Sequence, residues 1–168
     1  ANVFSDQLKQ IWSCSEFVAA ACSGQPDMFQ QLVQSDDLTR SYDTEGMTTR
    51  LSKRLNETDS EEDLFRVLRQ FRHREMVRIV WRDFTRQASL EETTADMTSL
   101  AEACLQSALD FLYPIACEDW GTPMNRNGEP QQMVVLGMGK MGAWELNVSS
   151  DIDLIFAYPE SGETQGGR

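Results

Sequence analysis

Val134-Val135-Leu136-Gly137-Met138-Gly139-Lys140-Met141-Gly142 and, eleven residues after Lys140, Asp151-Ile152-Asp153-Leu154-Ile155-Phe156 are the stretches on which the reading of this chain turns. Short apolar runs bounded by glycine and polar clusters read as strands. Met133 to Leu136 is the first, a buried one by composition, and Leu154 to Tyr158 the second. Met141 to Leu146 between them is a short amphipathic piece. The unit is therefore strand, glycine turn, short helix, strand. Side chains alternate along a strand, which predicts Asp151 and Asp153 on one face and Ile152 and Leu154 turned into the core.

That arrangement carries chemistry. Two carboxylates so close repel each other, and a divalent cation relieves the repulsion. Hard oxygen donors with no thiolate or imidazole nearby point to Mg²⁺ or Mn²⁺, with Asp151 and Asp153 as ligands and catalytic residues. Backbone N–H groups of the Gly139-Lys140 turn, at a helix start, suit a phosphate, and Lys140 adds a point charge. A rival reading takes Gly137-Met138-Gly139-Lys140-Met141-Gly142 as the G-x-G-x-x-G turn of a dinucleotide-binding Rossmann unit, with Glu160 as the acid for a ribose. The short helix argues against it, and so do two acids opening the next strand. A P-loop is excluded, because Met141 stands where Ser or Thr is needed.

Upstream the texture is helical. Ser13-Cys14-Ser15-Glu16 reads as a capping box before Phe17 to Ala21, with Gly24 as the stop. Pro26 suits the first turn of another helix, and Met47, Leu51 and Leu55 mark a third by their spacing. Ser60 opens a long helix to about Arg86. Ser89 opens a second with Met97, Leu100, Cys104, Leu105, Ala108, Phe111, Leu112 and Ile115 on one face, kinked by Pro114 and closed at Gly121. The first long helix holds seven of the 15 basic residues: Arg66, Arg69, Arg72, Arg74, Arg78, Arg82 and Arg86. Val67, Leu68 and Phe71 lie on one side of it, and Val77, Val80, Trp81 and Phe84 on nearly the opposite side. These arginines are expected to pair with the chain's abundant acids in a surface network. The tail from Ser161 to Arg168 is flexible in composition.

Composition narrows the function classes. The 168 residues are 40% hydrophobic and 25% charged, a globular balance with material for a core. Against 15 Lys and Arg stand 27 Asp and Glu, a net charge of −12, which disfavours nucleic acid and anionic membranes as partners. No apolar run is long enough to span a bilayer, and the first residues do not read as a signal peptide. Four separated cysteines and one histidine speak against disulfide and zinc scaffolds, so a cytoplasmic protein is expected.

The glycine turn followed by Asp-x-Asp resembles the nucleotidyltransferase superfamily of DNA polymerase beta, with Lys140 where Ser or Gly is usual. A closer resemblance covers nearly the whole chain. Val135 to Gly142, Glu145-Leu146-Asn147 and Ser149 to Phe156 are similar to the glutamine synthetase adenylyltransferase/adenylyl-removing family. Leu68 to Ile79, Glu118 to Pro123 and the Thr164-Gln165-Gly166-Gly167-Arg168 tail are similar as well. The Ser149-Ser150-Asp151-Ile152-Asp153 form and this tail resemble the N-terminal, adenylyl-removing part.

The resemblance implies an α+β, predominantly α-helical chain. Residues 1–121 would be a helical region and residues 122–168 the first part of a nucleotidyltransferase α/β palm. It implies metal-dependent removal of AMP from a tyrosine of glutamine synthetase by phosphate, releasing ADP. ATP, ADP and phosphate are the implied nucleotide substrates and co-substrate, and Gly137, Gly139, Lys140, Ser149 and Ser150 the implied phosphate-binding residues. Glutamine synthetase and a PII-type nitrogen signalling protein are the implied partners. The family's third carboxylate lies on a later strand, and 15 residues follow Asp153 here, so the chain reads as a piece that is inactive by itself. A helical protein-interaction module without catalysis is the other alternative.

Overall fold

The computed structural model describes residues 3–43 and 45–168. Three short helices come first: α1 Val3–Cys14, α2 Glu16–Gly24 and α3 Pro26–Gln34. The cap expected at Ser13 lies two residues further on. Ser13 Oγ donates to the Gln10 carbonyl at the end of α1, and Ser15 Oγ accepts the Val18 N–H to open α2. Both serines can cap, and α1 uses the first. α4 spans Gly46–Leu55 and buries Met47 and Leu51.

Two long helices follow where the capping serines predict them. α5 runs Glu61–Phe84 from Ser60, whose Oγ accepts the Asp63 N–H, and α6 runs Leu90–Trp120 from Ser89, whose Oγ accepts the Glu92 N–H. α6 continues through Pro114. It carries Met97, Leu100 and Ala103 into the core, but its last turns emerge from it, so that Ile115 is exposed rather than buried.

α5 is the axis of the helical part. Val77, Val80 and Trp81 pack into one cluster with Ile11, Val18, Ala21, Cys22, Leu32 and Leu38 from α1–α3 and the turn after them. Phe71, Met76 and Ile79 pack into a second with Met47 and Leu51 of α4 and Leu100 of α6. Every residue from Arg74 to Arg82 is buried, because apolar neighbours stand on both sides. Arg74, Arg78 and Arg82 do pair with acids, but inside the protein, whereas Arg66 makes the expected surface pair with Asp63.

After α6 come β1 (Thr122–Pro123), β2 (Val134–Gly137), α7 (Gly139–Gly142), β3 (Leu154–Ala157) and β4 (Thr164–Gln165). β1 pairs antiparallel with β4, and β2 antiparallel with β3, with Gly137 opposite Leu154 and Val134 opposite Ala157. This pairing overturns the dinucleotide reading, since a Rossmann crossover joins parallel strands. β2 is less buried than its composition suggests: Val134 and Leu136 are 45% and 47% exposed.

The tail is also more ordered than its composition implies. β4 lies on β1, and the guanidinium of Arg168 reaches Glu118 and Asp119 at 3.6 and 3.8 Å. A Cβ on Gly167 would stand 2.8 Å from the Gly121 nitrogen, so glycine is what lets the tail backbone close on the end of α6. Buried Gln131 pins the connecting loops, its Nε2 donating to the carbonyls of Met124 and Glu160, each at 3.0 Å.

Candidate functional site

The register of β2 against β3 builds the site. β2 ends at Gly137, opposite the first residue of β3, so the glycine turn and the acids preceding β3 meet at one end of the ladder. The Met138 N–H donates to the Asp153 carbonyl at 2.9 Å and extends the pairing by one bond. Residues 151–153 lie just outside the strand, which begins at Leu154. Ile152 is 42% exposed and does not enter the core, contrary to the alternation argument, which holds only within a paired strand. Leu154 does pack against the core, as expected.

Gly139 opens α7 at φ +54, a left-handed conformation that favours glycine. A Cβ there would lie 3.5 Å from Asp153 Oδ2, ordinary contact distance, so it is the backbone conformation that favours glycine, and the carboxylate lies beside the turn. The Met141 and Gly142 N–H groups bond back to the Met138 carbonyl. Those of Gly139 and Lys140 have no hydrogen-bond partner among the described residues. Gly137 stands where a Cβ would press on the Met141 side chain at 2.9 Å, which gives it a packing role. Met141 and Leu146 bury against Met47, Leu51 and Leu100, seating the turn on the helical core.

Asp151 and Asp153 are both exposed and neither forms an ion pair among the described residues. Lys140 likewise pairs with no carboxylate, and its Nζ lies 3.5 Å from Ser150 Oγ. Ser149 and Ser150, expected to contact phosphate, are engaged in a local turn. Asn147 Oδ1 accepts from the Ser149 N–H and Oγ, both at 3.1 Å, and from Ser150 Oγ at 2.9 Å. The Asn147 N–H in turn donates to Ser150 Oγ at 3.2 Å. Asn147 had no role in the sequence reading. Asn two residues before a serine is an Asx-turn signal, and it is this loop that delivers the chain to Asp151.

The donor set suits a hard divalent cation: two unpaired carboxylates, no sulfur or imidazole, and free backbone N–H groups beside them for a phosphate. Among the described residues no group of three or more His, Cys, Asp or Glu side chains comes together, so the two aspartates are the available ligands.

A family model described as glutamate-ammonia ligase adenylyltransferase matches residues 5–168. Among curated proteins, the chain is 52% identical over 159 residues to the bifunctional glutamine synthetase adenylyltransferase/adenylyl-removing enzyme of Nitrosococcus oceani, a match covering 94% of this chain and 16% of that protein. It is 48% identical over 161 residues to the enzyme of the same name from Pseudomonas putida, covering 95% and 16%, respectively. With that of Vibrio parahaemolyticus it shares 44% over 168 residues, covering 99% and 17%. The chain thus spans about a sixth of the length of these relatives.

Proposed function

Because the chain belongs to the glutamate-ammonia ligase adenylyltransferase family, we propose that it supplies the helical region and the first palm strands of an adenylyl-removing unit. In that reading residues 1–121 support the site and residues 122–168 carry it. The reaction is phosphorolysis of the AMP–tyrosine bond on glutamine synthetase. A phosphate oxygen bonds to the adenylyl phosphorus, the bond from phosphorus to the tyrosine oxygen breaks, and that oxygen takes a proton. ADP and the unmodified tyrosine result.

The observation that carries this reading is that Asp153 Oδ2 lies beside the Gly139 turn, 3.5 Å from where a Cβ on Gly139 would stand. It puts a metal-type ligand and two unpartnered N–H groups within one small region, as a displacement at phosphorus requires. Asp151 and Asp153 would hold Mg²⁺ or Mn²⁺, which when bound neutralises charge on the phosphoryl oxygens. The Gly139 and Lys140 N–H groups and the Lys140 ammonium orient a phosphate. Asn147 holds the Ser149-Ser150 loop and thereby sets where Asp151 begins. Ser149 and Ser150 reach phosphate only if their hydroxyls leave Asn147, so their contribution is secondary to that of the turn.

The test is Asp153→Asn in the longer protein that contains this chain, assayed for ADP release from adenylylated glutamine synthetase with phosphate and Mg²⁺. Loss of a metal-ligand charge should cost more than the roughly 10–100-fold typical of changes behind the ligands. The exposed side chain leaves the melting temperature unchanged. A folded variant with near-normal ADP release would sink the assignment.

A further inference from the structure

We propose that the cavity between α4 and α5 is a binding site for a small oxyanion, a molecule presenting a phosphate or carboxylate group, separate from the glycine turn. The cavity measures about 520 Å³. Arg50, Lys53 and Arg54 of α4 and Arg74 of α5 line it. Spacings of three and four residues bring the α4 cations along one flank of the helix, beside the face that buries Met47 and Leu51.

Asp37 takes Arg50 at 3.0 Å and Arg74 at 2.5 Å, and Glu75 is shared between Arg74 and Arg78. The buried acids of this wall are therefore already occupied. Lys53 and Arg54 have no carboxylate within ion-pair distance among the described residues, although acids outnumber bases 27 to 15 in the chain. Arg54 lies over the Phe71 ring at 5.8 Å, which holds the guanidinium in place without satisfying its N–H groups. Burial, and then the charge of Arg74, push the Arg54 guanidinium below its ordinary value.

Arg74 supplies a second, independent sign. Its side chain is 7% exposed, and its Nε is buried with no hydrogen-bond partner. A buried donor left unpaired is costly, and an accepting oxygen removes that cost. A further cavity of about 410 Å³ opens on the other side of the same two guanidiniums, lined by the amides of Gln25, Gln31 and Gln70. The pair Arg54 and Arg74 is thus a charged divide with room on both sides for the rest of a ligand. Asp43, Glu45 and Glu75 also line the first cavity; Asp43 and Glu45 are exposed, as Lys53 and Arg54 are, and none of the three acids forms an ion pair with Lys53 or Arg54 among the described residues.

The site does not depend on the proposed reaction, and its test separates the two. Isothermal titration of the chain at low ionic strength uses inorganic phosphate in one arm and citrate in the other. Lys53→Ala/Arg54→Ala should weaken binding at least about tenfold, the loss of charge-assisted contacts. Both side chains are exposed, so the variant folds, and its circular dichroism melt checks this. Arg54→Gln, which keeps the stem over Phe71, should weaken binding in the same direction. Lys140→Ala should retain this binding, since it touches only the glycine turn. Binding of phosphate alone, or of citrate alone, identifies the ligand's headgroup. Equal binding by the wild type and both cavity variants, or no binding of either probe, overturns the proposal.

Discussion

Glu75→Gln should destabilise this protein far more than its conservative size suggests. Glu75 and Arg78 are both fully buried. One oxygen of the carboxylate accepts from Arg74 and the other from Arg78 at 2.9 Å, so a single anion serves two guanidiniums. Glutamine keeps one oxygen but turns an NH₂ toward the second arginine, placing donor against donor. Arg74 then shares Asp37 with Arg50, and Arg78 keeps Asp96 at 2.5 Å and the Arg40 carbonyl at 3.2 Å, so three guanidiniums are left with two carboxylates. Removing one member of a buried ionic network costs about 3–5 kcal/mol. A domain has roughly 5–15 kcal/mol in total, so the variant should be marginal. The melting temperature should fall by about 6–20 °C at this chain length. Thermal and urea melts followed by circular dichroism at 222 nm read the loss. Arg66→Ala, which removes the exposed pair with Asp63 on the same helix, should leave the melt unchanged. A Glu75→Gln loss below about 1 kcal/mol would refute the reasoning, because it would mean that water or rearrangement replaces the anion.

Two further outcomes follow from the geometry. Gly139→Val places a branched side chain at φ +54 and within 3.5 Å of Asp153 Oδ2, so phosphate and nucleotide affinity should fall by more than the stability does; a lowered melting temperature with unchanged binding would make the glycine merely structural. For Asp37, burial by itself would raise the carboxyl, but hydrogen bonds from Ser35 and Arg74 and the charges of Arg74 and Arg50 outweigh it and hold the group below its ordinary 3.8. Its stabilising contribution is therefore present above about pH 4 and lost as pH falls through the lower folded value. Urea midpoints should drop more steeply below pH 4 in the wild type than in Asp37→Asn, and parallel curves would show that the pair contributes nothing.

The sequence by itself determined the starts of the two long helices and the kind of most elements, but not α1, β1 or β4. Ser60 and Ser89 mark the starts of α5 and α6 because a cap needs only a hydroxyl and an N–H three residues on. The glycine turn and the two short strands were legible within a residue or two, since glycine and apolar runs act locally. The spacing from Gly139 to Asp153 likewise picked out the candidate site before any contact was known. Tertiary structure alone decided how those pieces face one another. The short helix and the two acids argue locally against a Rossmann unit, but only the β2–β3 register shows the antiparallel pair that brings Asp153 to the Gly139 turn. Arg74, Arg78 and Arg82 read as surface residues until Asp37, Asp96 and Glu92 arrive from elsewhere in the chain to neutralise them in the interior. Ile152 and Leu136 read as core until the structure places Ile152 outside the paired strand and leaves Leu136 half exposed on β2. A cap is satisfied within one turn of helix, whereas burial and charge pairing depend on partners 10 to 37 residues away, which no local pattern encodes.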